Sequence, residues 1–251
     1  MLISITEKCR MGCSHCMDDA RPDCENHMTR EIFEKAVDFN FEYDLTITIT
    51  GGEPTEHPQF WEFMDILVGK MESCHAATIC TNGMNITDDD LDKVVALRKK
   101  CKGMINFQVS SFKPYYPIQI DLDQKIFKHE AFFICTKLEK LEKRGRAVNH
   151  PEWRFTTKAP QCFNLRSCVR SCGFRDGIMQ LRSFAKFCTP QIAYDGQIKL
   201  GESCLCPPVG NIYDSESELT KKICMFTCKC PECHELLNKL PKQYKQAVGE
   251  L

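Results

Sequence analysis

The chain has 251 residues, 43% of them hydrophobic, and 33 Lys and Arg against 34 Asp and Glu leave a formal net charge of −1. That length can bury a core for one large domain, or one plus a small appendage, while the near cancellation of charge excludes the broad basic footprint of a nucleic-acid binder. No apolar stretch is long enough to span a bilayer and no signal peptide precedes Cys9, so the eighteen cysteines argue for metal binding in a reducing, cytoplasmic setting rather than for disulfides.

Leu2 to Thr6 reads as a short buried strand feeding the loop Cys9-Arg-Met-Gly-Cys13-Ser-His-Cys16. Three cysteines at this spacing can turn toward one point. Three thiolates leave one iron of a [4Fe–4S] cluster without a protein ligand, an open position for a substrate or co-substrate. The alternative is a zinc knuckle completed by His15, although His15 directly precedes Cys16 and the two can hardly reach one ion from the required directions.

Thr29 then suits the N-cap of a helix with Ile32, Phe33, Ala36 and Val37 on one face. Leu45 to Thr50 alternates as a strand and ends in Thr50-Gly-Gly-Glu53-Pro54, where two glycines let backbone approach a ligand closely. Pro58 suits the first turn of a helix carrying Phe60, Phe63, Met64 and Leu67. Ala76 to Thr81 is the next strand, closed by Asn82-Gly83, and Thr87 with Asp90 forms a capping box before Leu91, Val94, Val95 and Leu97. The run Arg98-Lys99-Lys100-Cys101-Lys102 ends that helix as a solvated face, with Gly103 following. Met104 to Ser110 is a fourth strand. A helix is predicted over Lys128 to Arg144, stopped at Gly145, and a fifth strand over Arg146 to Thr156, interrupted by Pro151.

This rhythm of strand and helix predicts βα units and a parallel sheet, with function at the carboxyl ends of the strands. Cys9–Cys16, Gly51–Glu53, Thr81–Gly83 and Ser110–Ser111 all fall on that rim. From Cys162 the composition changes, with ten cysteines between Cys162 and Cys233. Cys188 to Cys204 reads as a hairpin with Asp195-Gly196 at its turn, which makes its end cysteines neighbours. Gly210-Asn-Ile-Tyr213 follows, and the Cys230-Pro-Glu-Cys233 spacing suits two ligands on one metal.

CxxxCxxC after a short strand, followed by GGE at a strand end, resembles the radical S-adenosylmethionine (SAM) superfamily, with His15 at the position that is usually aromatic there. The resemblance implies an α/β fold, a partial (βα)₆ barrel over residues 1–160, with a [4Fe–4S] cluster on Cys9, Cys13 and Cys16. It implies that the reduced cluster cleaves SAM to a 5′-deoxyadenosyl radical, which abstracts hydrogen from a substrate, and that a flavodoxin or ferredoxin supplies electrons. Gly51, Gly52 and Glu53 would hold the methionine ammonium of SAM, and Ser110 its ribose or carboxylate, unless Ser110 only caps a turn. No glycine-rich adenine segment is found after Gly145. Tyr115-Tyr116 could floor a substrate pocket or pack on the barrel edge.

Residues 161–251, with the hairpin, the GNI triplet and the terminal CxxC, look like the small cysteine-rich Twitch/SPASM auxiliary-cluster region of that superfamily. Position by position, Cys188, Cys204, Cys230 and Cys233 would hold an auxiliary [4Fe–4S] cluster, with structural zinc as the alternative. Cys162, Cys168, Cys172, Cys206, Cys224 and Cys228 stay outside that pattern, enough for a second auxiliary cluster or a zinc site. Cys24, Cys74, Cys80, Cys101 and Cys135 are expected as small buried hydrophobes.

The leading expectation is thus an oxidoreductase-type enzyme acting on a peptide or protein side chain. A small-molecule dehydrogenase of the Twitch type is second. A non-catalytic iron–sulfur or zinc protein that senses or carries electrons is third, and the GGE turn speaks against it. Neither nucleic acid nor membrane is an expected partner.

Overall fold

The computed structural model describes residues 1–111, 116–118, 126, 128–136, 145–149, 168–178, 190–199 and 208–226. Its first half follows from two periods in the sequence. Strand β2, Thr46–Thr50, reads Thr-Ile-Thr-Ile-Thr, so its threonines and isoleucines fall on opposite faces. The same alternation runs through β1 (Leu2–Ser4), β3 (Ala76–Thr81) and β4 (Met104–Ser110). One face of the sheet therefore carries Ile3, Ile47, Ile49, Ala77, Ile79, Ile105, Phe107 and Val109, each at most 2% exposed. The other carries Ser4, Thr48, Thr50, Thr78, Cys80, Asn106, Gln108 and Ser110.

The apolar face joins one core with helices α1 (Arg30–Tyr43), α2 (Phe60–Lys70) and α3 (Asp88–Lys100). Phe33 of α1 stacks on Phe63 of α2 with ring centroids 4.2 Å apart. Each such buried side chain stabilises the fold by about 1.5–3 kcal/mol relative to exposure. Thr29 caps α1 by accepting the Ile32 N–H, and the Asp90 carboxylate accepts the Thr87 N–H at 3.0 Å. Helix α2 starts at Phe60 with Gln59 as its N-cap, so Pro58 lies just before it.

The strand order is β5-β4-β3-β2-β1-β6-β7-β8, and β1 to β6 pair in parallel fashion wherever they are neighbours. The fold is α/β with a mostly parallel sheet. Strand β5 is Phe132–Cys135, inside the segment expected to be helical. A four-residue run of aromatic and β-branched residues fits either period, and the unpaired edge of β4 decides for a strand, Phe107 to Ser110 facing Phe132 to Cys135. The strand expected from Arg146 is instead a 3₁₀ turn over Gly145–Asn149, and residues 150–156 lie outside the described residues.

The expected hairpin is present. Strands β6 (Gln191–Ile192) and β7 (Gln197–Lys199) are antiparallel around Gly196, whose φ of +81° suits glycine. β8 (Pro208–Asn211) continues the antiparallel run. Helix α4, residues 168–178, and helix α5, Glu216–Met225, complete the described elements. Phe174 of α4 is 1% exposed, stands edge-on to Tyr43 of α1 at 5.0 Å, and donates its N–H to Thr220 Oγ1 of α5. The boundary expected near residue 160 lies outside the described residues. No helix among them is long and apolar enough to cross a membrane.

Candidate metal centre

The cysteine loop leaves β1 between backbone anchors. The Cys9 N–H donates to the Arg21 carbonyl at 3.0 Å, and the Gly52 and Glu53 N–H groups donate to the carbonyls of Thr6 and Lys8 at 2.6 and 2.8 Å. Gly12, at φ +62°, turns the loop between Cys9 and Cys13. A Cβ on Gly51 would lie 2.4 Å from the Thr6 carbonyl oxygen, and one on Gly52 2.2 Å from that of Lys8. In this structure the space left by the two glycines is filled by the strand that enters the cysteine loop.

Glu53 is 1% exposed. Its Oε1 accepts from the Thr55 N–H at 3.2 Å and from the Thr55 and Thr81 hydroxyls at 2.6 Å each, while Oε2 accepts, among the described residues, only the Asn82 N–H at 2.7 Å. Burial raises its pKa, and these donors oppose the rise. Asn82 is fixed in turn: its Oδ1 accepts the Met84 N–H, and its Nδ2 lies 3.9 Å from Cys9 Sγ. Glu56, with a side chain only 4% exposed, accepts the Arg10 N–H at 3.0 Å through Oε1, and its Oε2 has no hydrogen-bond partner among the described residues.

Burial pushes the Cys9 thiol up to about 11, with the Glu53 and Glu56 carboxylates adding to the rise. Cys13 is pushed up to about 12, first by burial and then by Cys9 and Cys16, with the Arg146 guanidinium opposing. With thiols pushed up this far, Cys9 and Cys13 are poor thiolates on their own, and a cationic metal group supplies what they lack. Among the described residues no three His, Cys, Asp or Glu are placed to share one metal ion. Cys9, Cys13, Cys16 and His15 are accordingly not among such groups. Three thiols from one loop are donors of the kind a [4Fe–4S] cluster takes.

His15, 7% exposed, lies nearly parallel to the Tyr116 ring with centroids 6.0 Å apart, and the Tyr116 hydroxyl donates to the Ser110 carbonyl at 2.9 Å. His15, Ser110 and Tyr116 are thus brought together on the rim, while Tyr115 lies outside the described residues. Sequence reasoning missed Arg146, whose Nε donates to the Cys13 carbonyl from 133 positions along the chain. It also missed Thr55, Thr81 and Asn82 as the donors that fix Glu53; the TNG turn after β3 was the available signal for the last two. A cleft of about 80 Å³ runs beside the loop, lined by Thr6, Asp19, Gly52, Gly145, Tyr194 and Lys199 among others, so the hairpin borders it.

Cys188, Cys204, Cys230 and Cys233 lie outside the described residues, as do Cys162, Cys206 and Cys228. Cys168 and Cys172 sit one turn apart on α4, the Cys172 thiol donating to the Cys168 carbonyl at 3.0 Å. Of the five scattered cysteines expected to be buried, Cys74 is exposed and the other four are half-buried. Cys74 lies in the turn between α2 and β3, which gives a side chain nothing to pack into.

A family model described as the radical SAM superfamily matches residues 3–149. The antilisterial bacteriocin subtilosin biosynthesis protein AlbA of Bacillus subtilis (strain 168) is 29% identical over 97 residues, 38% of this chain. That match spans 21% of the relative's length. Among solved structures, BtrN in complex with AdoMet and 2-DOIA superposes with a TM-score of 0.55 at 13% identity, covering 88% of this chain and 82% of the other. BtrN in an open conformation gives 0.51 at the same identity, covering 88% and 80%. These structural likenesses show a shared fold.

Proposed function

The chain belongs to the radical SAM superfamily, and on that footing we propose that it is an enzyme binding SAM beside a [4Fe–4S] cluster on Cys9, Cys13 and Cys16 and acting on a peptide or protein side chain. The observation that carries this reading is the meeting of three half-buried thiols with the Glu53–Asn82 pair on one rim of a parallel sheet. When bound, such a cluster supplies one-electron reductive cleavage of SAM, the source of a hydrogen-abstracting radical.

The chain's own share is to hold, orient and shield. Cys9, Cys13 and Cys16 would hold the cluster as thiolates, with no fourth ligand supplied by the loop. Asn82 keeps an amide N–H toward Cys9 because its oxygen is tied to Met84. Glu53 Oε2, with one hydrogen bond against three on Oε1, has room for the SAM ammonium. A bound cation would offset the cost of burying that carboxylate without one. The sheet and its helices are read as a partial (βα)₆ barrel whose polar face, with Thr50, Thr78, Gln108 and Ser110, looks into the lumen. The region beyond residue 160 is read as a Twitch/SPASM-like module with an auxiliary cluster on Cys188, Cys204, Cys230 and Cys233. A relative named for the biosynthesis of a bacteriocin supports a peptide substrate.

The test is anaerobic reconstitution followed by reduction with dithionite in the presence of SAM. Release of 5′-deoxyadenosine that stops when Cys9, Cys13 and Cys16 are replaced by Ala supports the reading, and its absence from the iron-loaded wild type refutes it. Deuterium carried from labelled peptides into that product would establish the substrate class. Transfer from a labelled small alcohol alone would reverse it.

A further inference from the structure

The 3₁₀ turn Gly145–Asn149 reaches the cysteine loop at three points. Arg146 Nε donates to the Cys13 carbonyl and Arg146 Nη1 to Asp19 Oδ1, each at 3.0 Å. The Ala147 N–H donates to the Cys16 carbonyl at 3.2 Å. Gly145, at φ +52°, lies so close that a Cβ would stand 2.6 Å from the Cys16 carbonyl oxygen. The turn is a clasp on the two cysteines farthest from β1, and Arg146 is the charge it brings.

We propose that Arg146 is a positioning residue that fixes a permanent positive charge on the Cys13 side of the centre and makes the cluster easier to reduce. This rests on the reading that Cys9, Cys13 and Cys16 carry a [4Fe–4S] cluster. Reduction by dithionite would add one electron to a 2+ cluster and give the 1+ form, with no bond broken in the protein and no proton moved. The added negative charge is favoured by any fixed cation nearby. A guanidinium does not lose its proton, and its fork reaches two acceptors at once, the Cys13 carbonyl and the Asp19 carboxylate.

The surrounding charges give Arg146 something to oppose. On the Cys9 side stand the buried carboxylates of Glu53 and Glu56, the latter paired with Arg10. On the Cys13 side Asp19 is shared between Arg146 and Arg21, the Arg21 contact being 2.6 Å. Arg21 is 61% exposed against 29% for Arg146, so solvent screens Arg21 more. Arg21 also faces Asp23, and Asp18 stands beside Asp19, so Arg146 is the less screened of the two cations on this side.

The experiment is a redox titration of the full-length, anaerobically reconstituted protein without SAM, followed by electron paramagnetic resonance of the reduced cluster. Arg146→Gln should move the midpoint to more negative potential, Asp19→Asn to more positive potential, and Arg146→Lys should fall between wild type and Arg146→Gln. Asp19 holds φ +53°, a conformation asparagine tolerates, so that substitution changes charge and leaves the turn. Both shifts should shrink at high salt. Unchanged midpoints, or shifts of the same sign for Arg146→Gln and Asp19→Asn, overturn the proposal, because a distorted loop has no reason to follow charge. If Arg146→Gln takes up no iron, the signs for Asp19→Asn and Arg146→Lys decide. A wild type with iron but no signal from a reduced cluster overturns the cluster reading and the proposal together, an outcome distinct from a signal that does not shift.

Discussion

Gly52→Ala separates two reasons for a glycine at this turn. The new Cβ would lie 2.2 Å from the Lys8 carbonyl oxygen, about 1.2 Å short of the 3.4 Å at which ordinary contact begins. The obstacle is main chain and cannot rotate away. Lys8 is held by the Glu53 N–H at 2.8 Å and is followed by Cys9, itself bonded to Arg21. Relief therefore means moving the entry to the cysteine loop and giving up the Glu53–Lys8 bond. Overpacking of this kind costs about 1–3 kcal/mol and the bond about 0.5–1.5, so metal-free protein should lose about 1.5–4.5 kcal/mol. Gly69→Ala is the control. That glycine is exposed near the end of α2 with nothing within 4 Å of its would-be Cβ, and the change should stabilise by about 0.5–1 kcal/mol. Urea unfolding of both variants without iron or SAM, followed by circular dichroism, measures the pair. If Gly52→Ala stays within about 0.5 kcal/mol of wild type and only SAM binding weakens, the glycine is reserved for the ligand and the packing argument is wrong.

Glu53→Gln should weaken SAM binding by about ten- to a hundredfold, the loss of one charge-assisted bond of about 1.5–3 kcal/mol, with cluster absorbance unchanged; an unaltered dissociation constant sinks the ammonium role. The same residue gives a pH signature. Burial sets its folded pKa above the unfolded one, so the stability it contributes is complete below the ordinary glutamate range and is lost as pH rises through the raised value. Metal-free Glu53→Gln should lack that slope, as urea midpoints between pH 4 and 8 would reveal. In metal-free protein at pH 8, Cys9 and Cys13 should be alkylated by iodoacetamide well after the exposed Cys74, since their thiols are pushed up to about 11 and 12; peptide mapping over time would expose the opposite order. Finally, the folded double variant Cys230→Ala, Cys233→Ala should still release 5′-deoxyadenosine with dithionite yet fail to turn over its substrate, and a folded variant releasing none contradicts the division of labour between the two ends of the chain.

What could be read from the residues was whatever depended on local period or local chemistry. The Thr-Ile alternation of β2, the Thr29 cap, the Thr87–Asp90 pair and the Asp195-Gly196 turn each depend on residues a few positions apart, and each is present. The cysteine loop, the GGE turn and Asn82 meet on one rim because β1, β2 and β3 are parallel neighbours. Where the outcome turned on distant partners, the sequence was mute. Phe132–Cys135 is too short for its period to distinguish strand from helix, and only the open edge of β4 selects the strand. Arg146 belonged to an expected strand, and no neighbour in sequence hints at Cys13 as its acceptor. The glycines of the GGE turn read as an approach to a ligand, whereas in the fold the atoms they come close to are the backbone of Thr6 and Lys8.

The placing of β1 has a consequence for the integrity of the whole chain. It carries the cysteine loop, yet it is an inner strand of the sheet only because β6, nearly 190 residues later, pairs with Leu2 and Ile3. A fragment ending before residue 190 would keep all three loop cysteines and the GGE turn but would bare one side of β1. That side is a row of unpaired peptide groups beside Ile3 and Ile5, a template on which a second molecule can add a strand. Aggregation of such a fragment would then report on a missing neighbour strand rather than on a damaged metal centre. The strand that bears the chemistry has its open flank guarded from the far end of the polypeptide.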